Sequence, residues 1–318
     1  MPASRTRISL WGLAEVSVAM ALLATLAGFL ARLGWLLELT CHFRLQLGVV
    51  LATLALVGLA GRRRTLAVAA AVGAAVNLTL VLLAARPNSD PLPASTAPRL
   101  RLLSLNVHTT NTRSDLVRDL VARTQPDVVL LLEVNAAWMR ELEMLRPQYP
   151  FVLSEPREDN FGIALFARHK PADWEVIELG PAEVPSVRAD IEFGGRTLSL
   201  LGTHPLPPAT PAYAAGRNGQ LRALAEWSRA QTLPVALAGD LNVTPWSPHF
   251  SDLLRRSGLR NKRPEWNLGI SWPAQAPWFG LPLDHCLTAP GLAVLRREVS
   301  PSVASDHWPL LVELAFRD

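Results

Sequence analysis

Cysteine is almost absent from this 318-residue chain: Cys41 and Cys286 are the only two, so the sequence supports no disulfide framework. No grouping of Cys and His has the spacing of a structural zinc site. Lysine occurs only at Lys170 and Lys262, which leaves no Lys-rich face. The formal net charge of +4 is unevenly spread. Residues 1–97 carry eight Arg against three acids (Glu15, Glu38 and Asp90), a balance of +5. The remainder holds 23 Lys+Arg against 24 Asp+Glu, a balance of −1. That part lacks the cationic excess of a strong duplex-DNA binder, which argues against a dedicated nuclease. There is no internal repeat and, one linker apart, no low-complexity tract.

What is abundant is apolar sequence in the N-terminal third. Three runs stand out: residues 8–31, 45–61 and 65–85. At 1.5 Å per residue, about 20 residues span a bilayer core, so the first and third suffice and the second sits at the lower limit. A cleaved leader is the competing reading of the first run, but two more follow and no small-residue cleavage site stands out. The expectation is a membrane domain over residues 1–86 with three transmembrane helices. Arg5 and Arg7 precede the first run and Arg62-Arg63-Arg64 fills the turn before the third, whereas Arg32 and Arg44 in the other short loop are offset by Glu38. By the positive-inside bias, the N-terminus and the triple-Arg turn are cytoplasmic. The rest of the chain is then expected outside the cytoplasm, on a multi-pass protein of the cell (inner) membrane. Loss of the second span would invert this orientation.

Residues 87–98 form a Pro/Ser-rich linker, expected to be extended. From residue 99 to 318 strands and helices alternate. Leu100–Val107 reads as a strand, Ser114 caps an amphipathic helix, and Val128–Leu132 is an apolar run of the buried parallel kind ending in Glu133. This βαβ unit brings Asn106 and Glu133 to one sheet edge, where open α/β sheets bind ligands. Further strands are expected at 162–167, 174–179, 187–193 and 196–201, the last two joined by the hairpin signal Gly194-Gly195. A helix over 217–230, a strand at 234–237, a helix near 248–257 and strands at 281–287 and 308–314 complete the pattern.

The central stretch is Gly239-Asp240-Leu241-Asn242-Val243-Thr244-Pro245, at the end of the run Pro234–Leu237. Asp240 can take a proton or a hard cation, and Asn242 can donate to an anion such as phosphate. The plainer reading is an Asx-turn before Pro245. Six other polar residues also stand at strand ends or beside one: Asn106, Glu133, His204, Asp284, Asp306 and His307. One alone is a cap or a turn former; the full set is harder to dismiss. A lone buried carboxylate after Leu130–Leu132 is costly, and a cation would remove the cost at Glu133. Oxygen ligands from Glu, Asp and Asn favour Mg²⁺ or Mn²⁺ over zinc.

In this order, Leu103-Ser-Leu-Asn106, Pro126-Asp-Val-Val-Leu-Leu-Leu-Glu133, Gly202-Thr-His204, Gly239-Asp-Leu-Asn242, Leu283-Asp284-His285 and Ser305-Asp306-His307 resemble the endonuclease/exonuclease/phosphatase family of metal-dependent phosphoesterases. With the apolar runs ahead of them, they look like its bacterial membrane-anchored branch. The resemblance covers residues 99–316. It implies a four-layer α/β sandwich, two packed mixed sheets flanked by helices, preceded by the three transmembrane helices. It implies Glu133 as the principal Mg²⁺ (or Mn²⁺) ligand with Asn106 and Asp306 completing the site. Asp240 would orient or deprotonate the attacking water, and Asn242 would hold the phosphate. His307, held by Asp284, would bind phosphoryl oxygens or serve as acid/base, and His204 would stabilise the transition state.

Five residues outside this set have plainer readings beside a functional one. His285 stands where the family often has an aromatic, and is expected to point away from the site. Arg217 reads as part of a solvated helix terminus, with a substrate-phosphate contact as the sharper alternative. Trp272, Trp278 and Phe279 by default pack a surface loop; alternatively they form a lip gripping an apolar or membrane-resident substrate. The expected function is Mg²⁺-dependent hydrolysis of phosphoesters, lipid-linked or nucleotide-derived, beside a lipid bilayer. A membrane-tethered nuclease acting on nucleic acid and an inactive binding module are the alternatives.

Overall fold

The structure, a computed structural model, describes residues 9–88 and 96–317. The expectations resting on Arg5, Arg7, the start of the first apolar run and residues 89–95 of the linker lie outside the described residues. The chain divides into two compact units.

The first unit holds the N-terminal helices through Ala84 together with Trp246–Pro248. Helix α1 (Leu10–Ala27) is capped by Ser9, whose Oγ accepts the Gly12 N–H, and runs on as a 3₁₀ helix to Leu33. α2 (Trp35–His42), α3 (Arg44–Ala60) and α4 (Arg64–Ala85) follow. Leu10–Leu33 and Arg64–Ala85 are long and apolar enough to cross a membrane. α2 and α3 meet at 65°, so the middle run is half of a bent pair, and a third crossing exists only if that pair counts as one span. Three helices are pinned by polar groups: the Arg44 guanidinium donates to Thr25 O (3.3 Å) and Asn77 Oδ1 (3.1 Å), and Asn77 Nδ2 donates to Thr25 Oγ1 (2.8 Å). In an apolar setting such bonds fix helix register, because slippage would strand polar groups.

The second unit, Ala85–Pro245 with His249–Asp318, is a four-layer α/β sandwich. Its strands are β1 (Leu100–Asn106), β2 (Val128–Leu132), β3 (Phe151–Glu155), β4 (Ile163–Ala167), β5 (Asp173–Glu178), β6 (Pro185–Phe193), β7 (Arg196–Thr203), β8 (Val235–Asp240), β9 (Asp284–Thr288), β10 (Leu292–Val299) and β11 (Leu310–Phe316). One sheet has the order β10-β11-β1-β2-β4-β3 and the other β5-β6-β7-β8-β9. Alternate residues of both sheets, among them Leu102, Leu130, Leu200 and Ala238, form the core between them. The opposite face of the first sheet packs on α5 (Ser114–Thr124) and α6 (Ala136–Leu142) through Leu105, Val117 and Trp138. The opposite face of the second packs on α7 (Pro211–Ala230) and α8 (Pro248–Ser257) through Leu224, Leu237 and Phe250.

Each sheet has one parallel pair, β1–β2 and β7–β8, at its centre. Asn106 pairs with Leu132, the residue before Glu133, and Asp240 pairs with Asp284. The candidate polar residues thus collect at strand ends on one side of the sandwich.

Three elements depart from the sequence reading. β10 was not anticipated, because Arg296 and Arg297 interrupt it and a bulge between Val294 and Arg296 breaks the alternation. β3 is a half-buried edge strand with a weak apolar signature. α7 begins at Pro211, not near 217, because Thr210 caps it by accepting the Tyr213 N–H at 3.1 Å.

One glycine is dictated by the fold. Gly239 has φ +139°, and a Cβ there would lie 2.0 Å from Thr203 O on β7. Gly239→Ala is therefore expected to cost about 3 kcal/mol or more, read as a lowered denaturant midpoint. An unchanged midpoint would show that β7 and β8 have room to part.

Candidate active site

The side chains converge as two adjoining groups. The first is built at the ends of β1 and β2. Asn106 Nδ2 donates to Glu133 Oε1 (2.8 Å), and the Thr109 N–H donates to Glu133 Oε2 (3.3 Å). Asn106 Oδ1 accepts the His108 N–H (3.0 Å), leaving one lone pair on the only Asn106 side-chain atom able to ligate a cation. Glu133 and His108 both have positive φ, +62° and +61°. Side-chain-bearing residues adopt this region at a cost, and such strain concentrates at functional sites. Ser305 Oγ donates to Asn106 O (2.7 Å), which brings the Asp306 loop to the same sheet end. There Asp306 Oδ2 accepts from Trp272 Nε1 (3.1 Å), and Oδ1 lies 3.7 Å from His108 Nδ1.

The second group is buried. Asp240 is 1% exposed, and its Oδ2 lies 3.4 Å from both His204 Nε2 and His307 Nε2. Asp240 Oδ1 accepts the Asn242 N–H (2.9 Å). The other nitrogen of His307, Nδ1, meets Asp284 Oδ2 at 2.7 Å. Asn242 Nδ2 donates to Pro205 O (2.9 Å), and the residue sits at φ +49°. Burial opposes the imidazolium of His307, but the carboxylates of Asp284 and Asp240 outweigh it and hold its pKa well above the ordinary range. Burial also opposes ionisation of Asp240, and the His307 charge with the His204 bond overrides it, keeping the carboxyl below the usual range. Burial of His204 is likewise overcome by Asp240, and the charge of Glu133 adds to the same effect. That last interaction links the two groups electrostatically.

The fit of a metal follows from the donor set. Among the described residues no three His, Cys, Asp or Glu side chains converge tightly enough to hold an ion alone. The set at the first group is two carboxylates and an amide oxygen. Mg²⁺ is held in this way, by one or two carboxylates with water and substrate phosphate filling the remaining positions. The oxygen donors of Glu133, Asp306 and Asn106 fit such an ion.

Arg217 corrects the expectation of a solvated helix terminus. It is buried in α7, donating from Nη1 to Asn242 O (2.8 Å) and from Nε to Asn218 Oδ1 (3.0 Å). It thus props the Asn242 loop from beneath. The aromatic loop splits: Trp272 turns inward to Asp306, while Trp278 and Phe279 are 70% and 57% exposed. His285 turns away from the site, with Nε2 on Val243 O (2.9 Å) and its ring 4.7 Å from Phe250. Sequence reasoning missed His108, Thr109 and the Trp272–Asp306 bond. The polar run His108-Thr109-Thr110 directly after a strand end was the available signal for the first two.

Burial, then Arg297, lower the pKa of His285 from 6.5 to about 3. Below the unfolded value the unfolded chain binds a proton that the folded chain refuses, so stability falls as pH drops below about 6.5 and is unaffected above it. His285→Gln is expected to lose less stability than the parent between pH 7 and pH 5 in thermal unfolding. Equal losses would show that other groups set the acid limb.

The family model described as Endonuclease/Exonuclease/phosphatase family matches residues 103–307. No curated protein matches the chain. Among solved structures, D. rerio TDP2 complexed with a single-strand DNA product is similar at 18% identity and TM-score 0.53, covering 68% of this chain and 98% of that one. The human nocturnin catalytic domain, with a bound sulfate anion, gives 20% and 0.55, covering 69% and 95%. Sphingomyelinase C from Streptomyces griseocarneus gives 19% and 0.51, covering 68% and 99%. At these identities the likeness is one of fold.

Proposed function

Because the chain belongs to the endonuclease/exonuclease/phosphatase family, whose members are hydrolases acting on ester bonds, we propose that it is a membrane-anchored, Mg²⁺-dependent phosphoesterase. The observation that carries this reading is the buried Asp240 carboxylate between two imidazoles, one of which, His204, also feels the charge of Glu133. Mn²⁺ is the alternative ion. The substrate is a phosphoester, lipid-linked or nucleotide-derived, met at the bilayer outside the cytoplasm. The long apolar helices and the Arg bias support that location.

In this reading Glu133, Asn106 and Asp306 hold the ion, which when bound offsets the charge developing on the phosphoryl oxygens. Asn106 and Thr109 keep the Glu133 carboxylate in one orientation through their hydrogen bonds. Asp240 orients the attacking water and takes its proton, while His307, held as an imidazolium by the carboxylates of Asp284 and Asp240, acts as a proton donor and binds phosphoryl oxygen. Asp284 fixes the His307 ring so that Nε2 faces the reacting group. His204 and Asn242 donate to the equatorial oxygens, and their burial keeps them preorganised. Trp278 and Phe279 form an apolar lip for the alcohol portion of the ester or the bilayer surface. The near-neutral charge beyond residue 97 disfavours the nuclease alternative.

Full-length protein in detergent is assayed with Mg²⁺ and with EDTA. The panel is bis-p-nitrophenyl phosphate, single- and double-stranded DNA and short-chain phospholipids. Cleavage is expected only with Mg²⁺, and Glu133→Ala is expected to lower kcat by about 100-fold or more. Preference for DNA would select the nuclease alternative. Absence of turnover and of Mg²⁺ binding in a folded protein would select an inactive binding module.

A further inference from the structure

The turn after β1 is tied down along its length. The His108 N–H donates to Asn106 Oδ1 (3.0 Å), and the His108 carbonyl accepts the Asn111 N–H (2.8 Å). Thr109 Oγ1 donates to Glu133 O (3.1 Å), beside the Thr109 N–H that holds Glu133 Oε2. Asn111 Nδ2 reaches Val107 O (3.1 Å) and, on the loop ahead of Asp306, Val303 O (3.2 Å). His108 itself is held at φ +61°, a conformation that side-chain-bearing residues adopt at a cost. Its ring Nε2 lies 3.4 Å from Thr110 Oγ1, and its Nδ1 faces Asp306 Oδ1 at 3.7 Å. The other Asp306 oxygen is taken by the Trp272 indole, which sets the orientation of the carboxylate.

The spacing of this pair decides its chemistry. His307 and Asp284 meet through the same atom types, Nδ1 and a carboxylate oxygen, and close to 2.7 Å. His108 and Asp306 stay apart at 3.7 Å, beyond the range of about 2.7–3.2 Å that an N–H···O bond takes. With Nε2–H turned to Thr110 Oγ1, Nδ1 carries a lone pair, so two electron-pair donors face one another. Two atoms each about 2.1 Å from one ion stand roughly 3–4 Å apart. The side chains are 40% and 31% exposed, so an ion can reach both from solvent.

We infer that His108 Nδ1 is a further ligand of the metal ion, beside Asp306, and that it tunes the site toward Mn²⁺ and away from Mg²⁺. The inference rests on the phosphoesterase reading and refines it: of the two ions that reading admits, Mn²⁺ is the one favoured. An all-oxygen set suits Mg²⁺, a hard ion, whereas an imidazole nitrogen is accepted more readily by a first-row transition ion. Among the described residues no three His, Cys, Asp or Glu side chains hold an ion alone, so the Asn106 amide oxygen, water and substrate phosphate complete the coordination. His108 and Asp306 come from distant parts of the chain. The bonds of Asn111 to Val303 and of Ser305 to Asn106 bring their loops together.

The test uses tag-free full-length protein in detergent, with MnCl₂ and MgCl₂ as the probes. Pulsed electron paramagnetic resonance reads nitrogen coupled to bound Mn²⁺, and titration gives Kd for each ion. The variants are His108→Asn and His108→Gly, since both residues tolerate the left-handed backbone of that position. The parent is expected to show a ¹⁴N coupling that both variants lose. The Mn²⁺ Kd is expected to rise about 10-fold in each, while the Mg²⁺ Kd changes less than about 2-fold. Mn²⁺ bound without that coupling, a coupling kept in the variants, or equal losses for the two ions would overturn the ligand role and leave the phosphoesterase reading intact. Failure of both ions to bind the parent, with no metal-dependent turnover, would overturn both.

Discussion

The candidate site depends on one buried carboxylate shared by two imidazoles. Asp240 can remain ionised at 1% exposure only because His204 and His307 each stand 3.4 Å from its Oδ2. That arrangement requires three separate chain segments to end at the same place. β8 must lie against β7 closely enough that only glycine fits at position 239, and the antiparallel register of β8 on β9 must set Asp240 opposite Asp284. The loop after the 305 turn must then deliver His307 between the two carboxylates, which the His307 N–H bond to Ser305 Oγ secures. The sandwich is the device that meets all three demands, and Arg217 beneath the Asn242 loop shows how far the support extends.

Much of this was legible in the sequence because strand ends are. An apolar run that stops abruptly at Asn106, Glu133, His204 or Asp240 marks both the strand and the edge where ligands bind. Parallel pairing could be inferred from the βαβ pattern, and with it the meeting of Asn106 and Glu133. What was hidden lies where tertiary contacts override local pattern. Arg297 inside β10 reads as a solvent residue until the bulge turns it inward. Arg217 reads as a helix-end cation until α7 is seen to begin at Pro211. The Trp272 indole reads as a surface aromatic, and only the fold brings it to Asp306 across 34 residues.

The N-terminal helices pose a similar contrast. Their composition marks them as apolar enough to span a membrane, yet the bend of 65° between α2 and α3 follows from no run length. The Arg44, Asn77 and Thr25 bonds explain why three helices nevertheless hold one register. Small residues along these helices allow the close approach that such bonds need.

Whether the Glu133 group and the Asp240 group act as one working site is decided by a double-mutant cycle. Glu133→Gln, Asp240→Asn and the double variant are compared in Mg²⁺-dependent hydrolysis of bis-p-nitrophenyl phosphate. One site predicts that each single change lowers kcat by about 100-fold or more and that the double variant falls little further, because groups acting together lose their effect together. Losses that multiply in the double variant, or a single variant with near-parental kcat, would contradict it.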